Sequence, residues 1–314
     1  MERYLSFPAY CKQKYGRKLY RTALDAGMTC PNRDGTLDTR GCIFCLGGSG
    51  DFAVKYDGSP LAVKDMTFNH QQAEEGDYIA YFQSYTNTYA PVNRLRVLFE
   101  GALNDPVFAG ISIATRPDCI KEETYQLLKE LKERYPAKLM MVELGLQSIH
   151  QSSADWMRRG YPLSVFDECV GRLRDIQIDV IVHVIIGIPH ETPRMIYETI
   201  CHLNDCHVQG VKLQLLHYLK GTDLGRQYEE NPGQLHVLSL EEYADIVAEC
   251  IARLDENIVI HRLSGDGNAK ELLAPMWSKD KRRVLNTISH TLKTKNITQG
   301  CRREYGSERS SETA

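Results

Sequence analysis

Short apolar runs recur along the central two thirds of this chain, each followed by an amphipathic stretch. That alternation limits the fold more than any other feature. The runs are Tyr78–Gln83, Gly110–Ala114, Leu139–Gly145, Asp179–Ile186, Val211–Leu216 and Ile258–Arg262, with an earlier one near Leu19–Leu24. Helical spacing fills the intervals: Leu127, Leu128 and Leu131 share one face of Glu122–Tyr135, and Phe166, Val170 and Leu173 one face of Leu163–Ile176. Thr192 followed by Pro193 reads as an N-cap with proline at the first helical position. Ser239-Leu-Glu-Glu242 is a capping box opening Leu240–Leu254. Strand starts roughly 30–45 residues apart fit βα units with right-handed crossovers. About six or seven such units predict an α/β fold, a partial (β/α)6-type parallel TIM-like barrel with its site at the C-terminal strand ends. The barrel is expected over residues 19–263. An N-terminal extension precedes it at 1–18, and a C-terminal helical extension follows at 264–314, ending in a disordered polar tail at Gly306–Ala314.

No apolar run reaches the ~18 residues of a bilayer span, and the N-terminal MERYLSFPAY lacks the apolar core of a signal peptide. A cytoplasmic chain with no membrane segment is expected. The net charge of −3 excludes a globally basic nucleic-acid binder. The charge is unevenly spread, however. Residues 1–21 carry six Lys/Arg against one acid and residues 279–314 nine against four, so each end is +5 and the middle −13. Such asymmetry marks either an interaction face or ordinary solvated helix surface.

Ten cysteines in a chain of this kind are expected as free thiols, used for packing or metal. Cys11, Cys119, Cys169, Cys201, Cys206, Cys250 and Cys301 are scattered. Cys201 and Cys206, five apart on a helix, point ~140° away from each other and make a poor chelate. The remaining three are concentrated as Cys30-x11-Cys42-x2-Cys45. A structural zinc site would need a fourth ligand, yet there is no second C-x2-C and no His between Cys45 and His70. Three thiolates at the end of a first barrel strand have another use. They can hold a [4Fe–4S] cluster through three irons, leaving the fourth iron open, whereas electron-transfer clusters use four cysteines. The open iron can chelate S-adenosylmethionine.

The same segments carry a family resemblance. Tyr81–Val92, Ser112–Cys119, Val142–Ser148, Arg158–Tyr161, Val182–Thr192, Lys212–Thr222 and Ile260–Asp266 resemble the YhcC/YtqA family. Those are short radical SAM proteins related to the elongator catalytic subunit, without its acetyltransferase domain. The cysteine spacing departs from the commonest superfamily pattern, C-x3-C-x2-C, but long first gaps occur in the elongator branch. The resemblance implies a cluster on Cys30, Cys42 and Cys45 that cleaves S-adenosylmethionine to a 5′-deoxyadenosyl radical. It places Phe44 near the adenine. Gln83 and Ser84 stand where many relatives have a GGE motif, Arg159 is near the methionine carboxylate, and Thr115, His183 and Gly187 are in the cofactor cavity.

Glu143 and Gln147 alternate with Gly145, so they share a strand face; their partners are either the ribose and adenine or a polar network inside the barrel. A lone His183 in an apolar strand is otherwise a satisfied core histidine. Arg116, His217 and Arg262 are candidate substrate contacts. Lys212, Gln214, Lys220 and His261 belong with them, either on an anionic substrate group or in structural charge pairs.

By the same resemblance the substrate is a tRNA wobble uridine, for example one whose 5-carboxymethylaminomethyl group is converted toward 5-aminomethyl. A flavodoxin or ferredoxin supplies the electron. The +5 termini suit a phosphate backbone. Two alternatives stand beside this: radical chemistry on a small-molecule or protein substrate, and a zinc-stabilised RNA-binding module without catalysis.

Overall fold

A computed structural model describes residues 2–47, 53–63, 74–265 and 270–303; the Gly306–Ala314 tail and Asp266 lie outside the described residues. In chain order the elements are α1 (Phe7–Tyr15), β1 (Tyr20–Asp25), β2 (Val54–Lys55), β3 (Tyr78–Phe82), α2 (Val92–Asn104), β4 (Phe108–Thr115), α3 (Glu122–Arg134), β5 (Leu139–Gln147), α4 (Gln151–Trp156), α5 (Leu163–Asp175), β6 (Asp179–Ile186), α6 (Pro193–Asp205), β7 (Gly210–Leu215), β8 (Tyr218–Leu219), α7 (Asp223–Glu230), α8 (Leu240–Arg253), β9 (Val259–Arg262), β10 (Leu272–Ala274) and α9 (Lys281–Thr294).

Eight strands form one sheet in the order β2-β1-β3-β4-β5-β6-β7-β9, and every pairing is parallel. Parallel strands covered on both faces read as unbroken apolar runs, and all five residues of β3 are buried. The sheet curls until side chains from β1, β3, β4, β6 and β7 meet one carboxylate on β5, and Arg21 on β1 touches His261 on β9 at 2.5 Å. This is the expected TIM-like partial barrel, with β2 and β9 at its open edges. The N-cap at Thr192 and the Ser239/Glu242 capping box both form.

The N-terminal helix closes the bottom of the barrel. Phe7 and Cys11 pack with Leu19, Ile79, Leu139, Met141, Ile181 and Val259, all at or near N-terminal strand ends. Ser6 pairs with Ile260, which holds the helix against β9. Past residue 264 the chain adds a short strand before its last helix: β10 pairs antiparallel with β8, just beyond the C-terminal end of β7. The final helix, α9, then lies on α8 and buries Val284, Ile288 and Leu292. No helix among the described residues is long and apolar enough to cross a membrane.

Candidate active site

The loop after β1 carries all three clustered cysteines, and hydrogen bonds to distant parts of the chain fix it over the C-terminal strand ends. Two of the cysteines open tight turns. The Cys30 carbonyl accepts from Arg33 N and Asp34 N (2.8 and 3.1 Å), and the Cys42 carbonyl from Cys45 N (3.0 Å). Asn32 Nδ2 donates to Cys42 Sγ at 3.5 Å and to the Arg158 carbonyl at 2.8 Å. Ile43 N donates to Met157 O (3.2 Å), Leu224 N to Ile43 O (3.0 Å), and Arg158 pairs with Asp223. The loop is therefore stapled to the α4–α5 connection and to the start of α7. Arg33 crosses it and donates to the Cys45 carbonyl; a Cβ on Gly41, where φ is +77°, would meet that guanidinium at 2.9 Å. Phe44 packs against an apolar cluster that includes Ile185, Ile188 and Leu216, at and just beyond the ends of β6 and β7.

All three thiols are half-buried, and their sulfurs do not gather within 4.8 Å of one another, as ligands of a single ion do. Burial, then Cys45, pushes the Cys42 thiol up to about 11, while Asn32 and Arg116 act the other way. Arg116 is held in a two-bond pair with Asp118 (2.9 and 2.7 Å) and lies over the Tyr161 ring.

Beneath the loop, inside the barrel, lies a buried polar layer centred on Glu143. Tyr81 Oη and His183 Nε2 meet its Oε2 at 2.9 and 2.8 Å, Ser112 Oγ donates to Oε1 at 2.8 Å, and Lys212 Nζ donates to Oε2. Lys212 also donates to Tyr81 Oη at 3.0 Å, and Arg21 Nε stands 3.9 Å from Oε1. Burial alone would raise the Glu143 carboxyl, but Lys212, His183 and Arg21 hold it well below the usual range. Burial pulls the Lys212 ammonium down to about 7, with Glu143 opposing and Arg21 and Arg262 adding. Burial and Lys212 likewise lower His183, with Glu143 opposing them. The layer contains one anion facing Lys212, Arg21 and Arg262. His261, stacked on Phe7 at 4.5 Å, continues it downward.

The other sequence candidates fall around these two features. Thr115 Oγ1 meets Thr88 Oγ1 at 2.6 Å. Arg159 is buried and donates to the carbonyls of Tyr161, Leu146 and Ser148, which leaves its Nη2 without a partner. A bulge between Gly145 and Gln147 breaks the strand alternation, and Gln147 sits at φ +64°. Its side-chain nitrogen folds back toward the Leu146 and Gly145 carbonyls (2.9 and 3.2 Å) in the orientation that satisfies both ends of the amide. Gly187, at φ +100°, is approached by Leu238. Ser84 is buried and Gln83 half-buried beyond β3. His217 packs against Gly265, and Arg262 ends β9 beside the polar layer.

The two basic ends are on different sides. Arg17 pairs with Asp77 at 3.1 Å, just before β3 begins, so the cluster Lys12, Lys14, Arg17 and Lys18 belongs to the bottom of the barrel. The C-terminal cluster is on the cysteine side: Leu238 abuts Gly187, Trp277 Nε1 donates to Leu238 O at 2.9 Å, and Lys279–Arg283 follows. Both clusters flanking the mouth is thus not the arrangement found.

Sequence reasoning missed Asn32, Arg33, Tyr81, Ser112 and Asp223, and gave Arg158 no role of its own. A usable signal existed for the polar layer: Glu143 and Lys212 are single charges within otherwise apolar strands.

Residues 39–202 match the family described as "Radical SAM superfamily", and 208–294 its "Radical_SAM C-terminal domain". YtqA of Bacillus subtilis (strain 168) is 40% identical over 302 residues, covering 95% of this chain and 92% of its own. YhcC of Escherichia coli (strain K12) is 30% identical over 270 residues, covering 86% and 85%. Among solved structures, the archaeal Methanocaldococcus infernus Elp3 with residues 1–46 deleted superposes with a TM-score of 0.64 at 14% identity. That match covers 90% of this chain and 65% of the Elp3 chain, and shows a shared fold. This chain belongs to the radical SAM superfamily, in the group of YtqA and YhcC, and is an enzyme whose cofactors are a [4Fe–4S] cluster and S-adenosylmethionine.

Proposed function

We propose that Cys30, Cys42 and Cys45 hold the cluster at the barrel mouth, that S-adenosylmethionine is bound between it and the Glu143 layer, and that the substrate is a tRNA wobble uridine. The observation that carries the first step is the stapled cysteine loop. It presents three thiols too far apart for one ion, beside an Asn32 N–H aimed at sulfur and the charges of Arg33 and Arg116. Donors and cations of this kind suit the thiolates of a cluster. When bound, the cluster supplies one electron to the sulfonium of S-adenosylmethionine, and radical chemistry on the substrate follows.

The chain's own residues bind and orient. The unpartnered Arg159 Nη2 is a donor left for a carboxylate, as the methionine end of the cofactor requires. Phe44 offers the adenine an apolar wall, while Gln83, Ser84, Thr115, Gln147 and Gly187 line the strand-end ring around it. Glu143, its oxygens already taken by protein donors, positions His183 rather than reaching out itself. Arg116, in its pair with Asp118, and His217 and Arg262 are the substrate contacts in this reading, and the electron comes from a one-electron donor such as a flavodoxin or ferredoxin.

The tRNA reading draws support from the placement of the C-terminal cluster. Arg282, Arg283, Asn286, Thr287 and His290, together with the acidic Asp280, line a shallow, open surface on the α9 segment that begins on the cysteine side. Charge reversal at Lys281, Arg282 and Arg283 should weaken tRNA binding and lower its log–log salt slope by roughly 0.7–0.9 for each phosphate no longer neutralised. Reversal at Lys12, Lys14, Arg17 and Lys18, on the opposite end, should do neither. Equal effects of the two sets, absence of tRNA affinity at low salt, or unchanged wobble uridines on gene deletion would redirect the radical chemistry to a small-molecule or protein substrate.

A further inference from the structure

A second ligand cluster lies outside the barrel, between helices α5 and α6. His202 Nε2 is 2.7 Å from Asp167 Oδ1 and 3.4 Å from Cys206 Sγ, and that sulfur is 3.7 Å from Asp167 Oδ1. His202 and Cys206 are four apart at the end of α6, so they share a face, and Asp167 meets them from α5. The arrangement is not a nucleophilic relay, which needs acid and thiol on opposite nitrogens of the ring. Here one nitrogen, Nε2, faces both. Burial, with Asp167 beside it, also pushes the Cys206 thiol up to about 12, the reverse of activation.

Three donor atoms of different chemistry thus converge on one point. Tetrahedral zinc, with bonds of about 2.0–2.3 Å, spaces its ligand atoms by about 3.3–3.6 Å. Both sulfur edges of this triangle lie close to that. The third is the His–Asp hydrogen bond, which the ion would replace and widen by about 0.6 Å. We propose that Asp167, His202 and Cys206 bind a zinc ion that clamps α5 to α6, with solvent as the fourth ligand. A thiolate and an imidazole select zinc over magnesium or calcium, which take oxygen ligands. The exposed Asp167 gives the ion a path from solvent, and Asp205 adds negative charge beside the thiol, with Arg174 opposing it. Cys201, the nearest other thiol in sequence, is not part of the cluster.

The test uses full-length, cluster-loaded protein incubated anaerobically with zinc chloride, desalted, and assayed for zinc and iron in the same sample. The wild type should retain one zinc per chain. Cys206→Ser and His202→Ala should lose it and keep their iron, while Cys201→Ser should keep both metals. Asp167→Asn, isosteric and exposed, should fold normally and lose at least tenfold in zinc affinity. Zinc-edge X-ray absorption should show one sulfur at about 2.3 Å with nitrogen and oxygen at about 2.0–2.2 Å. Equal zinc in wild type, Cys206→Ser and Asp167→Asn, or a zinc spectrum without sulfur, would overturn the site. Loss of iron with this zinc intact would instead count against the cysteine-loop assignment.

Discussion

Replacing any one of Cys30, Cys42 or Cys45 by Ala should strip most of the iron and abolish cleavage of S-adenosylmethionine. Each thiolate is expected on its own iron, and four of the other cysteines are buried. Cys119 is buried behind the Arg116–Asp118 pair, and Cys11, Cys169 and Cys250 are buried in the core. The wild type should carry ~four irons per chain, and the three variants a small fraction of that after identical anaerobic reconstitution. Replacing Cys201 by Ser should leave iron unchanged. A Cys42→Ala protein that kept a full cluster and normal cleavage would show that the ligands lie elsewhere.

The second large effect is on stability. Glu143→Gln should destabilise the fold by about 3–5 kcal/mol, because it removes the anion that faces Lys212, Arg21 and Arg262 in a buried layer. Lys212→Met should cost less: Glu143 keeps Tyr81, Ser112 and His183 as hydrogen-bonding partners, with Arg21 still near. Lys212 also sets a direction with pH. Its folded-state value of about 7 lies below the ordinary lysine value of about 10.4, so its penalty eases as pH rises between the two. Denaturant melts of both variants across that window would check the order. A Glu143→Gln protein within 1 kcal/mol of wild type would mean the layer does not depend on its charge balance.

Much of the barrel was legible because parallel strands covered on both faces leave continuous apolar runs. Asp179–Ile186 matches its strand end to end, and the ends of the other long strands shift by at most two residues. Helix α1 was not read, since only Phe7 and Cys11 of its nine residues are buried, too few to set a helical apolar stripe. Strand β2 is two residues long and has no pattern to detect. Helix α2 did carry a signal, with Leu95, Leu98, Phe99 and Ala102 at helical spacing. In the site, the cysteines declare themselves by local spacing. The residues that hold them do not: Asn32 reaches a carbonyl 126 positions away, and Arg158 an acid 65 positions away. Glu143 stands out as a charge in an apolar strand, but its chief partner Lys212 is 69 positions on, and only the curl of the sheet brings them together.

The central claim is that the cysteine loop carries a cluster with one iron open to S-adenosylmethionine. It is tested most directly by electron paramagnetic resonance on the anaerobically reduced protein, with and without S-adenosylmethionine, alongside a metal count. The account predicts ~four irons per chain and a reduced-cluster signal that shifts when S-adenosylmethionine is added. An iron-free protein with zinc bound at Cys30, Cys42 and Cys45, or a full cluster whose signal does not respond to S-adenosylmethionine, would contradict it.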